Sequence, residues 1–153
     1  MKTPPICAWL LALTSFAAFG MTQGYYEHDQ EARALLASVD WDNAVVVEVT
    51  LDDFTFSPHE IVLERNRPTV LRLKNVGMQT HDMSGGNFFR VALIKQVGIG
   101  AGRVVTPYIQ SIQIRPKQQA EIWLLPIRAG SYSFQCSISG HLERGMDGKV
   151  LVR

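Results

Sequence analysis

From Ala44 to the C-terminus, apolar and polar residues alternate with a period of two, interrupted at short intervals by turn residues. In the stretch PTVLRLKN (68–75), for example, Leu71 and Leu73 alternate with Arg72 and Lys74. Such alternation puts one set of side chains on a core face and the other in solvent. Many short strands separated by turns predict an all-β fold, a sandwich or barrel of antiparallel strands. The other strand candidates are 44–51, 54–58, 60–64, 108–114, 120–125, 131–136 and 149–153.

A helical period replaces this alternation ahead of the strands. Residues 27–39 carry apolar residues at i, i+3, i+4 and i+7, which is one face of a helix. We therefore predict a helical extension over residues 21–43, followed by one domain over residues 44–153. The residues on the predicted apolar face are Ala32, Leu35, Leu36 and Val39.

The stretch from Phe88 to Thr106 holds an apolar run followed by the glycine-rich VGIGAGR. Gly98 and Gly100 suggest a nucleotide-binding loop, but Arg103 occupies the position where G-x-G-x-x-G needs its third glycine. The segment is therefore interpreted as a hairpin tip.

The first twenty residues have the layout of a secretory signal peptide. Lys2 precedes an apolar run from Ile6 to Phe19, and small residues close it at Gly20. The alternative is a membrane anchor, although the run is short of the ~20 apolar residues that a span needs. We predict a signal peptide over residues 1–20 and an exported or periplasmic protein.

Removing residues 1–20 changes the charge and the cysteine content. Only Lys2 is lost among charged residues, so Lys and Arg fall from 15 to 14 and match the 14 Asp and Glu. A neutral chain argues against nucleic-acid partners and against attachment to an anionic membrane.

Cys7 also leaves with residues 1–20, so Cys136 is the single remaining cysteine and cannot form an internal disulfide. A single unpaired thiol is a liability in an oxidising compartment, so its presence suggests that another group is bound to it.

The C-terminal segment around Cys136 contains several metal-binding residue types. Alternation places Tyr132, Phe134 and Cys136 on one face of a strand, so the thiol should point into the core at the strand's end. The loop that follows carries His141 and Met146 at four-residue gaps, C-x4-H-x4-M, before the last strand begins. Such a loop can fold both side chains back over the thiolate.

A fourth ligand is expected from His81, which follows the strand ending at Asn75 and lies in a loop reading MQTHDM. Thiolate, imidazole and thioether form a soft donor set that suits copper in both oxidation states. Two histidines, one cysteine and a weak axial methionine are typical of a blue-copper electron-transfer site. The sequence therefore predicts one copper ion bound by His81, Cys136, His141 and Met146.

Residues 44–153 resemble the cupredoxins, the type 1 blue copper family of plastocyanin, azurin and rusticyanin. FSPHEIVLERNRPTVLRLKNVG resembles the early strands that lead to the first histidine, and GSYSFQCSISGHLERGMDGKVLV resembles the ligand loop. The spacing of that loop is most similar to rusticyanin. The resemblance implies a Greek-key β-sandwich with copper near one end, single-electron shuttling without substrate turnover, and a redox partner such as a c-type cytochrome or a terminal oxidase.

The chain departs from that family pattern at three places. Ser139 stands where many members have the proline of Pro-Gly-His, and the segment 84–107 is longer than in small members. Asp82 replaces a common asparagine after the first histidine, and it should place a carboxylate near the Cys136 thiolate.

Two other functions compete with electron transfer. A multicopper enzyme would need more ligands than His28 and His59, both expected on the surface, and a binuclear centre would need a second cysteine at Gly140. A copper chaperone is the stronger alternative, because Met78 and Met83 flank His81. The same two methionines, with Ile138 and Leu142, are alternatively expected to form an apolar rim where a redox partner docks.

Overall fold

The computed structural model describes residues 30–106 and 108–153, which fold as two β-sheets packed face to face. The predicted signal peptide, residues 1–20, lies outside the described residues. The strands are β1 (Val45–Asp52), β2 (Thr55–Ser57), β3 (Glu60–Leu63), β4 (Thr69–Asn75), β5 (His81–Ser84), β6 (Ala92–Ile99), β7 (Gly102–Val104), β8 (Ser111–Ile114), β9 (Gln119–Pro126), β10 (Gly130–Gln135) and β11 (Asp147–Val152).

The six-stranded sheet has the order β2-β1-β4-β9-β6-β7, and the five-stranded sheet has the order β3-β11-β10-β5-β8. The chain crosses from one sheet to the other repeatedly between β2 and β10, as Greek-key connections require. The predicted all-β sandwich is confirmed.

Two strand pairs run parallel, which corrects the prediction of a purely antiparallel sandwich. β1 pairs with β4 and β3 pairs with β11 in the same direction. The reason is a crossover: after the β1–β2 hairpin the chain enters the other sheet as β3 and then returns beside β1.

The core lies between the two sheets. Inward-facing positions of β4 and β9 supply Leu71, Leu73, Ile122 and Leu124, which are fully buried. Phe134 of β10 meets Phe56 edge to face, with ring centroids 4.9 Å apart. Burying each side chain of this size contributes about 1.5–3 kcal/mol, so the sandwich has a core that does not depend on a metal.

Helix α1 occupies residues 30–38 of the described chain and lies near the outer face of the six-stranded sheet. Trp41 connects the helix to that face: its indole Nε1–H donates to the Leu36 carbonyl at 2.9 Å, and its ring lies 6.2 Å from that of Trp123. The ammonium of Lys95 lies over both indole rings. Ala32 and Leu36 of the predicted helical face are buried, as expected.

Leu35 differs from the expectation for that face, because it is exposed. The buried stripe of the helix is therefore narrower than the four apolar positions suggest. None of the helices among residues 30–106 and 108–153 has the length and apolar character needed to cross a membrane.

The hairpin expected within 88–106 is present and is formed by β6 and β7, with its turn at Gly100 and Ala101. Gly100 has a positive φ of 57° in that turn, a conformation that glycine adopts without strain. Phe88 and Phe89 precede the hairpin in a short 3-10 helix and are buried in the core.

Candidate metal centre

The register of β10 and β11 brings Cys136 and Met146 together. The last pair of this antiparallel ladder joins Gln135 to Asp147, so the next residue along β10 faces the residue before β11. The Cys136 N–H donates to the Met146 carbonyl at 3.0 Å and extends the ladder by one bond. Both side chains are fully buried, as alternation along β10 predicts for the thiol.

His81 is the first residue of β5, not part of a loop as the sequence suggested. β5 pairs with β8 through His81 and Ile114, and with β10 through Ser84 and Gln135. His81, Asp82 and Met83 of β5 are all buried, so the side chains on both faces of this strand are removed from solvent. A strand buried on both faces shows no polar–apolar alternation, which is why this one was not predicted.

Three ligand atoms converge at this end of the sandwich. The Nδ1 atoms of His81 and His141 are 3.2 Å apart, and the Cys136 Sγ is 3.4 Å from the His141 Nδ1. All three ligand atoms lie within 4.8 Å of one another. Metal bonds of about 2.0–2.3 Å to nitrogen and sulfur leave neighbouring ligand atoms roughly 3–4 Å apart, so the triangle has the size of a metal site.

The protonation pattern around His81 also fits a metal. Its Nε2 lies 2.8 Å from the Asp53 carboxylate, which can only accept, so the ring proton belongs on Nε2. Nδ1 then directs a lone pair at the His141 Nδ1 and toward the thiol. Two imidazole nitrogens and a buried sulfur that face one another favour a soft cation between them.

The loop before β5 is clamped from two sides. The Asn75 side-chain amide donates to the carbonyls of Gln79 and Ile114, and its oxygen accepts the Gly77 N–H at 3.0 Å. The Asp53 carboxylate accepts the N–H groups of Met78 and Gln79 from the opposite side. These bonds fix the backbone that leads into His81.

Asp82 ties β5 to the loop that follows Cys136. Its backbone N–H donates to the Cys136 Sγ at 3.4 Å, and its carboxylate accepts both the N–H of Ser137 and the Ser137 hydroxyl. The carboxylate is therefore near the thiol, as expected, but it is directed at the loop backbone.

Phe54 and Arg144 cover His141. The Phe54 ring meets the imidazole edge to face at 4.9 Å, and the Arg144 guanidinium lies 4.3 Å from the centroid of the Phe54 ring. His141 keeps 5% of its surface exposed, so it reaches solvent only at a narrow edge. Gly145, with φ of 89°, ends the short 3-10 helix Leu142–Arg144 and turns the loop back toward Met146.

Burial shifts the proton affinities of the two loop ligands in opposite directions. It raises the pKa of the Cys136 thiol, an effect that the N–H groups of Asp82 and Ile138 partly oppose. It lowers the pKa of His141, and electrostatic interactions with His81 and Arg144 lower it further. The hydrogen bond from His81 holds the pKa of Asp53 below its usual value. A neutral His141 is ready to bind a metal, whereas the thiol must give up its proton when a metal binds.

The structure thus brings together the four residues predicted as metal ligands. His81, Cys136 and His141 form the donor triangle, and Met146 is buried beside Cys136. Met83 is fully buried in the core, which corrects the expectation that it borders an exposed rim. His59 is on the surface as expected and pairs with Asp147 at 3.3 Å, whereas His28 lies outside the described residues.

Sequence reasoning missed the residues that support the ligands. Asp53 and Phe54 lie between β1 and β2, far from any ligand in the chain, and nothing in their local pattern marks them. Asn75 was recognised as the end of the strand before His81, but its bonding role was not visible in the sequence.

No protein-family model matches this chain, and no curated protein matches it in sequence. Solved structures resemble it in fold. Auracyanin B matches with a TM-score of 0.52 and 16% identity, over 75% of this chain and 93% of its own. The dithionite-reduced auracyanin of the photosynthetic bacterium Roseiflexus castenholzii matches with a TM-score of 0.52 and 19% identity, over 72% of this chain and 98% of its own.

Copper enzymes resemble the chain over part of their length. The McoA multicopper oxidase of the hyperthermophile Aquifex aeolicus matches with a TM-score of 0.60 and 16% identity, over 75% of this chain and 30% of its own. The chain thus spans about a third of such an oxidase but nearly all of an auracyanin. These likenesses establish the fold: the chain is a cupredoxin-like β-sandwich with one short helix.

Proposed function

We propose that this protein binds one copper ion in a type 1 site and shuttles single electrons between redox partners without catalysing a reaction. The observation that carries the proposal is the convergence of the His81 Nδ1, the His141 Nδ1 and the Cys136 Sγ within 4.8 Å in a buried site. The likeness to whole auracyanins, one of them solved in a reduced form, supports this function. Met146 would supply a weakly bonded thioether as the fourth ligand, in a loop whose spacing resembles rusticyanin.

A copper ion bound there would supply a one-electron Cu(I)/Cu(II) couple. The protein contributes a set of donor atoms that binds both oxidation states of copper, and a backbone that fixes the positions of those atoms. The Asp82–Ser137 bonds and the Asp53–His81 bond fix both sides of the site. A fixed ligand geometry keeps the nuclear rearrangement during each electron transfer small, because little has to move when the charge changes.

The narrow exposed edge of His141 is proposed as the point where electrons enter and leave. An apolar surface formed by Val76, Met78 and Leu142 is exposed at this end of the sandwich, and Met78 is 86% exposed. With Ile138, these residues form the proposed docking rim. A redox protein such as a c-type cytochrome or a terminal oxidase would dock there weakly and with little dependence on salt, since a neutral chain has no strong steering field.

We further propose that the protein is exported to the periplasm. The support is the layout of residues 1–20 and Cys136, the one cysteine outside them, which is fully buried among the proposed ligand atoms and thereby protected from oxidation.

A copper chaperone is the second candidate, and exposed Met78 favours it. The burial of His81, Cys136 and Met146 argues against it, because a carrier that hands copper to an acceptor needs ligands that the acceptor can reach.

The deciding experiment is the visible spectrum of the protein loaded with Cu(II), followed by a redox titration. We expect an intense thiolate-to-copper band that disappears on reduction and returns on reoxidation, with copper retained throughout. A colourless Cu(II) complex, or release of copper to a thiol acceptor within a few turnovers, would favour the chaperone.

A further inference from the structure

We propose that Asp53 is a positioning residue for His81: its carboxylate holds the outer nitrogen of the imidazole, keeps Nδ1 directed into the metal site, and places a negative charge behind the ligand that favours Cu(II) over Cu(I). This inference rests on the proposed copper site and adds a residue that lies 28 positions before its partner in the chain.

The contact itself is short and directional. Asp53 Oδ1 lies 2.8 Å from the His81 Nε2, and the buried ring has no freedom to turn away. A carboxylate that accepts from the outer nitrogen of a metal-binding histidine fixes its tautomer and makes the inner nitrogen a stronger donor. Asp53 therefore acts on the ligand atom through the ring.

The carboxylate is itself held in position. The Met78 N–H approaches both of its oxygens at 3.2 Å, and the Gln79 N–H approaches Oδ1 at 3.3 Å. Gly77 makes room for the contact, since a Cβ there would overlap Asp53 Oδ1 and stand 3.1 Å from the His81 Nε2. The loop is thus shaped around the carboxylate–imidazole pair.

The other ligands lack an equivalent. His141 packs against the Phe54 ring, and Asp82 directs its carboxylate to Ser137. Within residues 30–106 and 108–153, Asp53 is the carboxylate that bonds a ligand ring. Removing the Asp53 carboxylate should therefore change the tautomer of His81 and the potential of the copper couple more than removing another nearby charge does.

The test compares Asp53→Asn with Glu143→Gln in the full-length copper protein. The first variant removes the charge behind His81 and keeps an amide oxygen as acceptor. The second removes a charge from the loop between His141 and Met146 without touching a ligand ring. We expect Asp53→Asn to shift the Cu(I)/Cu(II) equilibrium toward Cu(I) on the order of tenfold, which is about 60 mV for one electron. Glu143→Gln should shift it less than about threefold, because an exposed charge is screened.

A second measurement needs no copper. Nitrogen-15 NMR of the copper-free protein should find His81 with its proton on Nε2 in the wild type, and a mixture of both tautomers in Asp53→Ala. The Asn variant, which keeps its size and an acceptor, decides the question through its potential if the Ala variant does not fold.

The proposal is overturned if Asp53→Asn moves the potential no further than Glu143→Gln, or if Asp53→Ala leaves the tautomer unchanged. Failure of the proposed function has a different signature: the wild-type protein would then lack the thiolate-to-copper band, while the tautomer measurement would still test the Asp53–His81 pair.

Discussion

His81 and His141 direct the same nitrogen at the same point from two different kinds of backbone. His81 belongs to β5, is hydrogen-bonded to Asp53 and lies between neighbouring strands. His141 starts a single 3-10 turn in the loop between Cys136 and Met146, and its ring is held by aromatic packing against Phe54.

The difference separates two requirements of one site. A ligand on a paired strand is placed by the fold before any metal arrives, because its backbone bonds belong to the sheet. A ligand in a loop depends more on the contacts of the loop itself, and part of its order comes from the metal. We infer that the strand side of the site, which is β5 with His81, sets the geometry of the ligands. The loop side, which is residues 137–145 with His141, admits the ion and faces the proposed partner.

Replacing Cys136 by serine should have the largest effect, because this residue stands where the strand side meets the loop side. A hydroxyl is a poor ligand for copper, so the intense visible band and reversible redox chemistry should both be lost. Absorption spectroscopy and voltammetry measure this directly. An intense band that survives in Cys136→Ser would mean that the thiolate is not a ligand.

Alanine variants of the two histidines test the comparison itself. His81→Ala removes a fully buried ring from a strand, and we expect it to cost the copper-free protein about 2–4 kcal/mol. His141→Ala removes a ring from a loop, and the expected cost is about 1 kcal/mol. Urea unfolding followed by circular dichroism measures both. Equal costs would contradict the division between a strand side and a loop side.

Copper removal should affect the loop and leave the sheets unchanged. The copper-free domain should remain folded, since its core forms without the ion. Amide hydrogen exchange should accelerate by about tenfold or more between residues 137 and 145 and stay slow in β5 and β10. A copper-free protein that is unfolded by circular dichroism, or that exchanges equally fast in β5, would be inconsistent with this expectation.

Met146→Leu should have the smallest effect. The two side chains have similar volumes, so the stability loss should stay below about 1.5 kcal/mol. An axial thioether bonds weakly, so copper and its colour should be kept while the potential rises. Copper content, spectrum and potential, each compared with the wild type, measure this effect. Loss of copper from the variant would show that Met146 is more than a weak axial ligand.

Three of the proposed ligands, Cys136, His141 and Met146, could be placed together from the sequence because their signals are local. Tyr132, Phe134 and Cys136 alternate along β10, and that alternation alone points the thiol inward. The spacing of His141 and Met146 after Cys136 completes the loop. Most of the other strands could be predicted for the same reason, because one face of each strand is exposed to solvent and the other is buried.

The rest of the site depends on contacts that are distant in sequence. Asp53 reaches His81 only because the turn after β1 lies beside the loop before β5, and no local pattern encodes that proximity. The parallel pairs of β1 with β4 and of β3 with β11 likewise follow from a crossover and not from any residue type. Met83 was assigned to the rim because a methionine beside a ligand is equally compatible with a buried and an exposed position.

The tilted contact between Trp41 and Trp123 gives the molecule an optical reporter at some distance from the proposed copper site. The chain has three tryptophans: Trp9 lies within the predicted signal peptide, and the other two form this one cluster on the outer face of the six-stranded sheet. Their fluorescence emission therefore reads out the seating of helix α1. If helix α1 detaches before the sheets unfold, the emission maximum should shift from blue to red. The visible absorption of the proposed copper site should stay unchanged during that step.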